Sequence, residues 1–183
     1  MAKQLWVEAY RPKKIDDYVF SSEKQRKQFV TWIEEKSIPH ILLSGSPGVG
    51  KSAAFSVLIN ELDINEYDVM FINASRENNV DVMRDKIVNF AQSMPFGDFR
   101  IVVLDEADFC SIQAQGILRG VMEAYASTCR FILTCNYPHK IIPAIHSRCQ
   151  GFHIEKIDNV EFTARAATIL INEAVEFDLD LLD

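Results

Sequence analysis

The residues best suited to chemistry lie between Gly45 and Ser52, in the run Gly-Ser-Pro-Gly-Val-Gly-Lys-Ser. They match the G-x-x-x-x-G-K-S/T pattern with the flanks that give it meaning, the apolar run Ile41-Leu-Leu43 before and a helical run after. Gly45, Gly48 and Gly50 let the backbone turn so that its N–H groups converge, with Pro47 and Val49 filling the loop between them. Those N–H groups and the positive end of the following helix make a cradle for anions. In such a loop the Lys51 ammonium reaches the β- and γ-phosphates of a nucleoside triphosphate, and the Ser52 hydroxyl ligates Mg²⁺. A Gly/Pro turn that merely joins strand to helix is the plainer alternative, but it does not call for a complete match with both flanks correct. The chain is expected to bind a nucleoside triphosphate.

A second group follows roughly 55 residues after Lys51. Arg100-Ile-Val-Val-Leu-Asp105 is apolar on both faces, as a buried parallel strand should be. It ends in Asp105-Glu-Ala-Asp108. There Asp105 is expected to hold the Mg²⁺ shell and Glu106 to polarise an attacking water, which points to hydrolysis rather than transfer to another acceptor. The letters D-E-A-D suggest a helicase, but that architecture needs two such domains and 183 residues hold one. Asn136, after Thr134-Cys135, is expected at the next strand end, between the metal-binding acid and the γ-phosphate; as part of Asn-Tyr-Pro it also reads as an ordinary turn residue. Arg148, in Ser147-Arg-Cys149, is either a surface charge or an arginine finger acting in trans on a neighbouring subunit.

The elements that must position these groups follow from periodicity. Helices are expected over 23–36, 51–62, 80–94, 112–125, 140–147 and 160–177, and strands over 40–44, 68–73, 100–105, 130–135 and 151–154. Ser22–Gln25 reads as a capping box, Asp158 as the cap of the final helix, and residues 1–20 as irregular around Tyr10-Arg-Pro12. Strands alternating with helices imply an α/β fold with a five-stranded parallel sheet between helices. The length suits one such domain, residues 1–155, plus the start of a helical lid over 156–183.

Composition excludes little. At 48% hydrophobic and 25% charged residues the chain is ordinary for a globular protein. No apolar run is long enough for a membrane span, and the first residues lack the apolar core of a signal peptide. Cys110, Cys129, Cys135 and Cys149 form no C-x-x-C pair and read as reduced residues of a cytoplasmic protein. Most of the net charge of −7 falls from Lys156 onward, so the total neither supports nor opposes a DNA-binding face.

Taken together, Tyr10-Arg-Pro12, Ile38-Pro-His40, Gly45–Ser52, Asn73-Ala-Ser75, Asp105–Asp108, Met122-Glu-Ala-Tyr125 and Ser147-Arg-Cys149 resemble the small subunits of sliding-clamp loaders. These are AAA+ ATPases, also called replication factor C small subunits. Asn89-Phe-Ala91 and Met122–Tyr125 look closest to tailed-phage versions, which would put the protein in the host cytoplasm. The resemblance, from Leu5 to about Ile154, implies an ATP-driven subunit that works with other clamp-loader subunits, opens a sliding clamp and places it on primer–template DNA. It implies that Val7, Glu8, Ala9, Tyr10 and Arg11, with Val19, pass the adenine, that Asn136 is the first sensor and that Arg148 is the finger. It also implies that the helix start at Val80, with Arg84, follows the template backbone. Arg76 stands where the family usually has Asp and adds a positive charge nearby. The chain stops inside what resembles the lid, so the second sensor arginine and the subunit-joining collar are expected beyond Asp183. Outside this resemblance, a helicase loader shares both phosphate-site motifs but not the Tyr-Arg-Pro start or Ser-Arg-Cys. A nucleotide kinase would phosphorylate an acceptor, and a non-hydrolysing structural subunit would not need Lys51, Asp105 and Glu106 together.

Overall fold

The computed structural model describes residues 5–77, 80–157 and 159–175. Its strands are β1 (Ile41–Ser44), β2 (Val69–Asn73), β3 (Arg100–Asp105), β4 (Cys129–Cys135) and β5 (Gln150–His153). The helices are α1 (Trp6–Ala9), α2 (Glu23–Glu34), α3 (Lys51–Glu61), α4 (Val80–Gln92), α5 (Ile112–Ala124), α6 (Pro143–His146) and α7 (Asn159–Asn172). All strand pairs are parallel, in the order β2-β3-β4-β1-β5.

The continuous apolar runs of β1, β3 and β4 have a direct cause: both faces of the sheet are covered. Ile41, Leu43, Ile101, Val103 and Ile132 pack with Phe29 and Trp32 of α2 and with Phe55 and Leu58 of α3. The alternate residues Leu42, Val102, Leu104, Phe131 and Leu133 pack with Met83 and Ile87 of α4 and with Leu118 and Met122 of α5. Burying a large aliphatic side chain contributes roughly 1.5–3 kcal/mol, so these central strands supply much of the driving force for folding. The strand order sets the C-terminal ends of β3, β4 and β1 side by side, the crevice where open parallel sheets bind ligands.

Several local expectations change. The segment before Pro12 is not wholly irregular: α1 forms one turn, closed by the Tyr10 N–H donating to the Trp6 carbonyl at 2.9 Å, and a 3₁₀ turn follows at Ile15–Asp17. Half of the capping box forms, with Ser22 Oγ accepting from the Gln25 N–H at 3.3 Å. The Gln25 side chain reaches away instead, donating to the His153 carbonyl at 2.7 Å and tying α2 to β5. The helix expected over 140–147 is divided into a 3₁₀ turn, Pro138–Lys140, and α6, because Pro143 lacks an N–H and fits only the first turn of a helix. Asp68 belongs to a 3₁₀ turn rather than to β2. Its buried carboxylate accepts from the Phe96 and Gly97 N–H groups and pairs with Arg100, fastening the turn before β3. The expected cap Asp158 lies outside the described residues, as do residues 176–183. Among the described residues no helix is long and apolar enough to cross a membrane. The four cysteines are free thiols, and burial pushes each of them up in pKa.

Candidate nucleotide site

The loop after β1 turns back on itself through three glycines at positive φ, Gly45, Gly48 and Gly50. Gly45 has φ +154°, and a Cβ there would sit 2.3 Å from the Ile154 carbonyl oxygen. Gly50, at φ +95°, is the residue from which α3 starts. Gly45→Ala should therefore destabilise the fold by about 2 kcal/mol or more, since both backbone strain and a backbone clash oppose it. Denaturant unfolding at equilibrium measures this directly.

Lys51 heads α3 and folds inward, 9% exposed. Its ammonium donates to the Gly45 carbonyl at 2.8 Å, to the Ser46 carbonyl at 2.8 Å and to Asn136 Oδ1 at 2.7 Å. An ammonium has three donors, so a phosphate oxygen that reaches Nζ exchanges with one of these acceptors. Burial lowers the Lys51 pKa, while the nearby carboxylates Asp105, Asp108 and Glu106 act in the opposite direction.

The ends of β3 and β4 are laced together beside it. Thr134 Oγ1 donates to Asp105 Oδ1 at 2.5 Å and accepts from the Glu106 N–H at 3.0 Å. Asp108, in the 3₁₀ turn Ala107–Phe109, accepts at one carboxylate oxygen from the Asn136 and Tyr137 N–H groups. Glu106 has φ +57°, a left-handed conformation for a residue with a Cβ. Strain of that kind persists where surrounding structure over-determines it and gathers at functional sites. Among the described residues no cluster of His, Cys, Asp and Glu forms a metal cage. Mg²⁺ usually takes one or two carboxylates together with substrate phosphates and water. Ser52, in the first turn of α3, and Asp105, the last residue of β3, carry oxygen donors of that kind.

A cavity of about 560 Å³ opens beside the loop, lined by Gly48, Gly50, Lys51 and Ser52 together with Glu8, Tyr10 and Arg11. The cavity brings those residues of the N-terminal segment and the loop together. Ala9, Val19, Pro47 and Val49 are not in the lining, and Val49 turns into the core behind the loop. Val7 lies within α1. Sequence reasoning missed Trp6, Pro12, Ala53 and, on α7, Ile169. It also missed the Tyr10 hydroxyl donating to Glu173 Oε1 at 2.9 Å, which joins the N-terminal segment to the end of α7. The aromatic Trp6, close in sequence to Tyr10-Arg-Pro12, was a usable signal; nothing local marks Ile169.

Arg148 stands elsewhere. It precedes β5, whose first residue Gln150 pairs with Ile41 at the start of β1, whereas the phosphate loop leaves the opposite end of that strand. Its guanidinium is ion-paired with Glu123 of α5 and donates to the Ala144 carbonyl at 2.7 Å. Arg84 is on α4 and pairs with Asp85, and Arg76 is exposed in the turn after β2. Val80 is the first residue of α4.

The family model described as ATPase family associated with various cellular activities (AAA) matches residues 41–156, which run from β1 past β5. The chain belongs to the AAA family. Within it, the chain is similar to replication factor C small subunits from Methanocella arvoryzae, Sulfurisphaera tokodaii and Archaeoglobus fulgidus, at 39%, 42% and 40% identity. Each match covers 98% of this chain, but only 57%, 56% and 57% of those relatives, so the chain spans little more than half their length. Thermotoga maritima RuvB has the same AAA fold: one structure has a TM-score of 0.76 at 16% identity, covering 94% of this chain and 58% of that one. A second, described as a Holliday junction branch migration motor, has a TM-score of 0.68 at 17% identity, covering 88% and 55%. At such identities the likeness concerns the fold alone.

Proposed function

We propose that this chain carries the nucleotide-binding core, residues 1–155, and the beginning of the lid, from 156 to 183, of a clamp-loader small subunit. Its reaction is hydrolysis of ATP to ADP and phosphate, coupled in a complex of several subunits to opening a sliding clamp and setting it on primer–template DNA. The protein works in the cytoplasm, where replicating DNA of a cell without a nucleus, or of a phage within it, is found. The observation that carries the reading is the meeting of Lys51, Asn136, Asp105 and Glu106 at the adjoining ends of β1, β4 and β3. The similarity to replication factor C small subunits over nearly the whole chain supports the biological setting.

The chemistry follows from positions. The loop amides and Lys51 bind the triphosphate and neutralise its charge. Ser52 and Asp105 would hold Mg²⁺, which would supply positive charge against the negative charge that builds on the transferring phosphoryl group. Glu106 orients a water for in-line attack on the γ-phosphorus and accepts its proton, and Asn136 contacts the γ-phosphate from the end of β4. Trp6, Tyr10 and Pro12 give the base an apolar wall, with Ile169 closing it from the lid. Arg148, on the far end of the sheet, serves the site of a neighbouring subunit. Arg76 and Arg84, with the α4 start at Val80, contact phosphates of DNA, a sequence-blind and salt-dependent mode of binding.

Glu106→Gln tests the central claim. In the assembled complex it should bind MgATP with unchanged affinity while turnover falls by about 10²-fold or more, the scale of a lost catalytic base. Calorimetry and steady-state phosphate release separate the two effects. Loss of binding with turnover per bound nucleotide preserved would assign Glu106 a different role.

A further inference from the structure

We propose that Asp108 is a positioning residue for hydrolysis: by holding the backbone of Asn136 and Tyr137, it sets the Asn136 carboxamide against Lys51. The inference rests on the reading of this loop as an ATP site and adds a residue to its machinery.

The need for an anchor comes from where β4 stops. Its ladder with β1 ends at Ser44 opposite Cys135, and its ladder with β3 ends at Leu104 opposite Leu133. Asn136 and Tyr137 therefore follow the last paired residue, and neither amide has a strand partner. Asp108 Oδ2 supplies one for both, accepting from the Tyr137 N–H at 3.1 Å and from the Asn136 N–H at 3.3 Å. From that fixed backbone the Asn136 side chain extends to Lys51 Nζ at 2.7 Å. The sequence of contacts is short: carboxylate, two amides, carboxamide, ammonium.

The way Asp108 is held argues against a simple turn staple. It is 6% exposed, and its second oxygen, Oδ1, is buried with no hydrogen-bond partner. Leaving a buried acceptor unsatisfied costs stability, and more so for a charged group. A staple needing only to close the turn would do so with a group that has no such orphan, because both amides bond to a single oxygen. Asp108 also sits in the 3₁₀ turn that follows the strained Glu106, so one short segment carries the water-orienting residue and the anchor of the opposite wall. Misplacing a reacting contact by about 1 Å can cost about 10²-fold in rate, so an anchor of this kind acts on turnover before it acts on binding.

Asp108→Ala, Asp108→Asn, Asn136→Ala and the Asp108→Ala/Asn136→Ala pair are compared in the assembled complex. MgATP affinity is measured by calorimetry and kcat and KM by phosphate release. Asp108→Ala should lower kcat by about 10- to 100-fold with KM within about twofold. Asp108→Asn keeps a carbonyl oxygen able to accept both amides, and should stay within about threefold of the parent. Because Asp108 acts through Asn136, the double variant should be no slower than Asn136→Ala alone. Multiplying losses in the double variant, or an Asp108→Asn as slow as Asp108→Ala, would overturn the proposal. If Asp108→Ala shows no cooperative unfolding transition, Asp108→Ser replaces it, since a hydroxyl keeps the pocket polar but is too short to hold both amides. Lys51→Ala is run alongside: unchanged MgATP affinity there would overturn the ATP-site reading itself, a result separate from the pattern across Asp108 and Asn136.

Discussion

Arg148→Ala should reduce ATP turnover of the assembled complex by about 10³-fold or more, while each subunit still binds MgATP. An arginine finger stabilises charge on the transferring phosphoryl group and contributes about 10³–10⁵ in rate where it has been measured. The strand register argues against action on its own site. Gln150 lies level with Ile41, and the four residue steps of β1 from there to Gly45 span about 13 Å before the loop begins. The guanidinium is also held on α5 and α6, by Glu123 and the Ala144 carbonyl. Mixing Arg148→Ala with Lys51→Ala subunits should restore part of the activity, since some interfaces then pair an intact phosphate loop with an intact finger. Native mass measurement must first establish that the two co-assemble. Co-assembly without any return of activity would mean that Arg148 does not act in trans.

Lys51→Ala should weaken MgATP binding by about 10²-fold or more, the size expected when charge-assisted hydrogen bonds of about 3 kcal/mol are lost. Part of the effect is indirect. Without the ammonium, the Gly45 and Ser46 carbonyls and Asn136 Oδ1 lose a donor they share, and three acceptors then face a site that must receive an anion. Repulsion between those oxygens and the phosphates adds to the missing attraction. Thermal unfolding separates a binding defect from a folding defect, because burial of the neighbouring Ala54, Phe55 and Leu58 does not depend on Lys51 Nζ. An affinity within threefold of the parent would remove Lys51 from the phosphate site.

Much of the molecule was determined locally. The phosphate loop is legible because its glycines, its Lys and its flanking strand and helix are contiguous, and backbone conformation at Gly45 and Gly50 is a local matter. β1, β3 and β4 are legible because strands buried on both faces must be continuously apolar. Helices α2 to α5 were found within one or two residues of their ends because their apolar positions recur at helical spacing, and α6 was misjudged where apolar spacing outweighed the rule that proline starts a helix rather than continues it.

The partners of those residues were decided only by tertiary structure. Asn136 meets Lys51 across 85 positions, and Tyr10 meets Glu173 across 163. Neither distance is written in any local pattern, because parallel strands are joined by crossovers whose length carries no information about strand order or register. The order β3-β4-β1 brings Asp105, Asn136 and Lys51 to one crevice. The register of β5 on β1 sends Arg148 to the other end of the sheet. Asp108 and Thr134 were visible as residues but not as anchors, since a hydrogen-bond partner beyond the end of a strand exists only once two neighbouring strands have been set side by side.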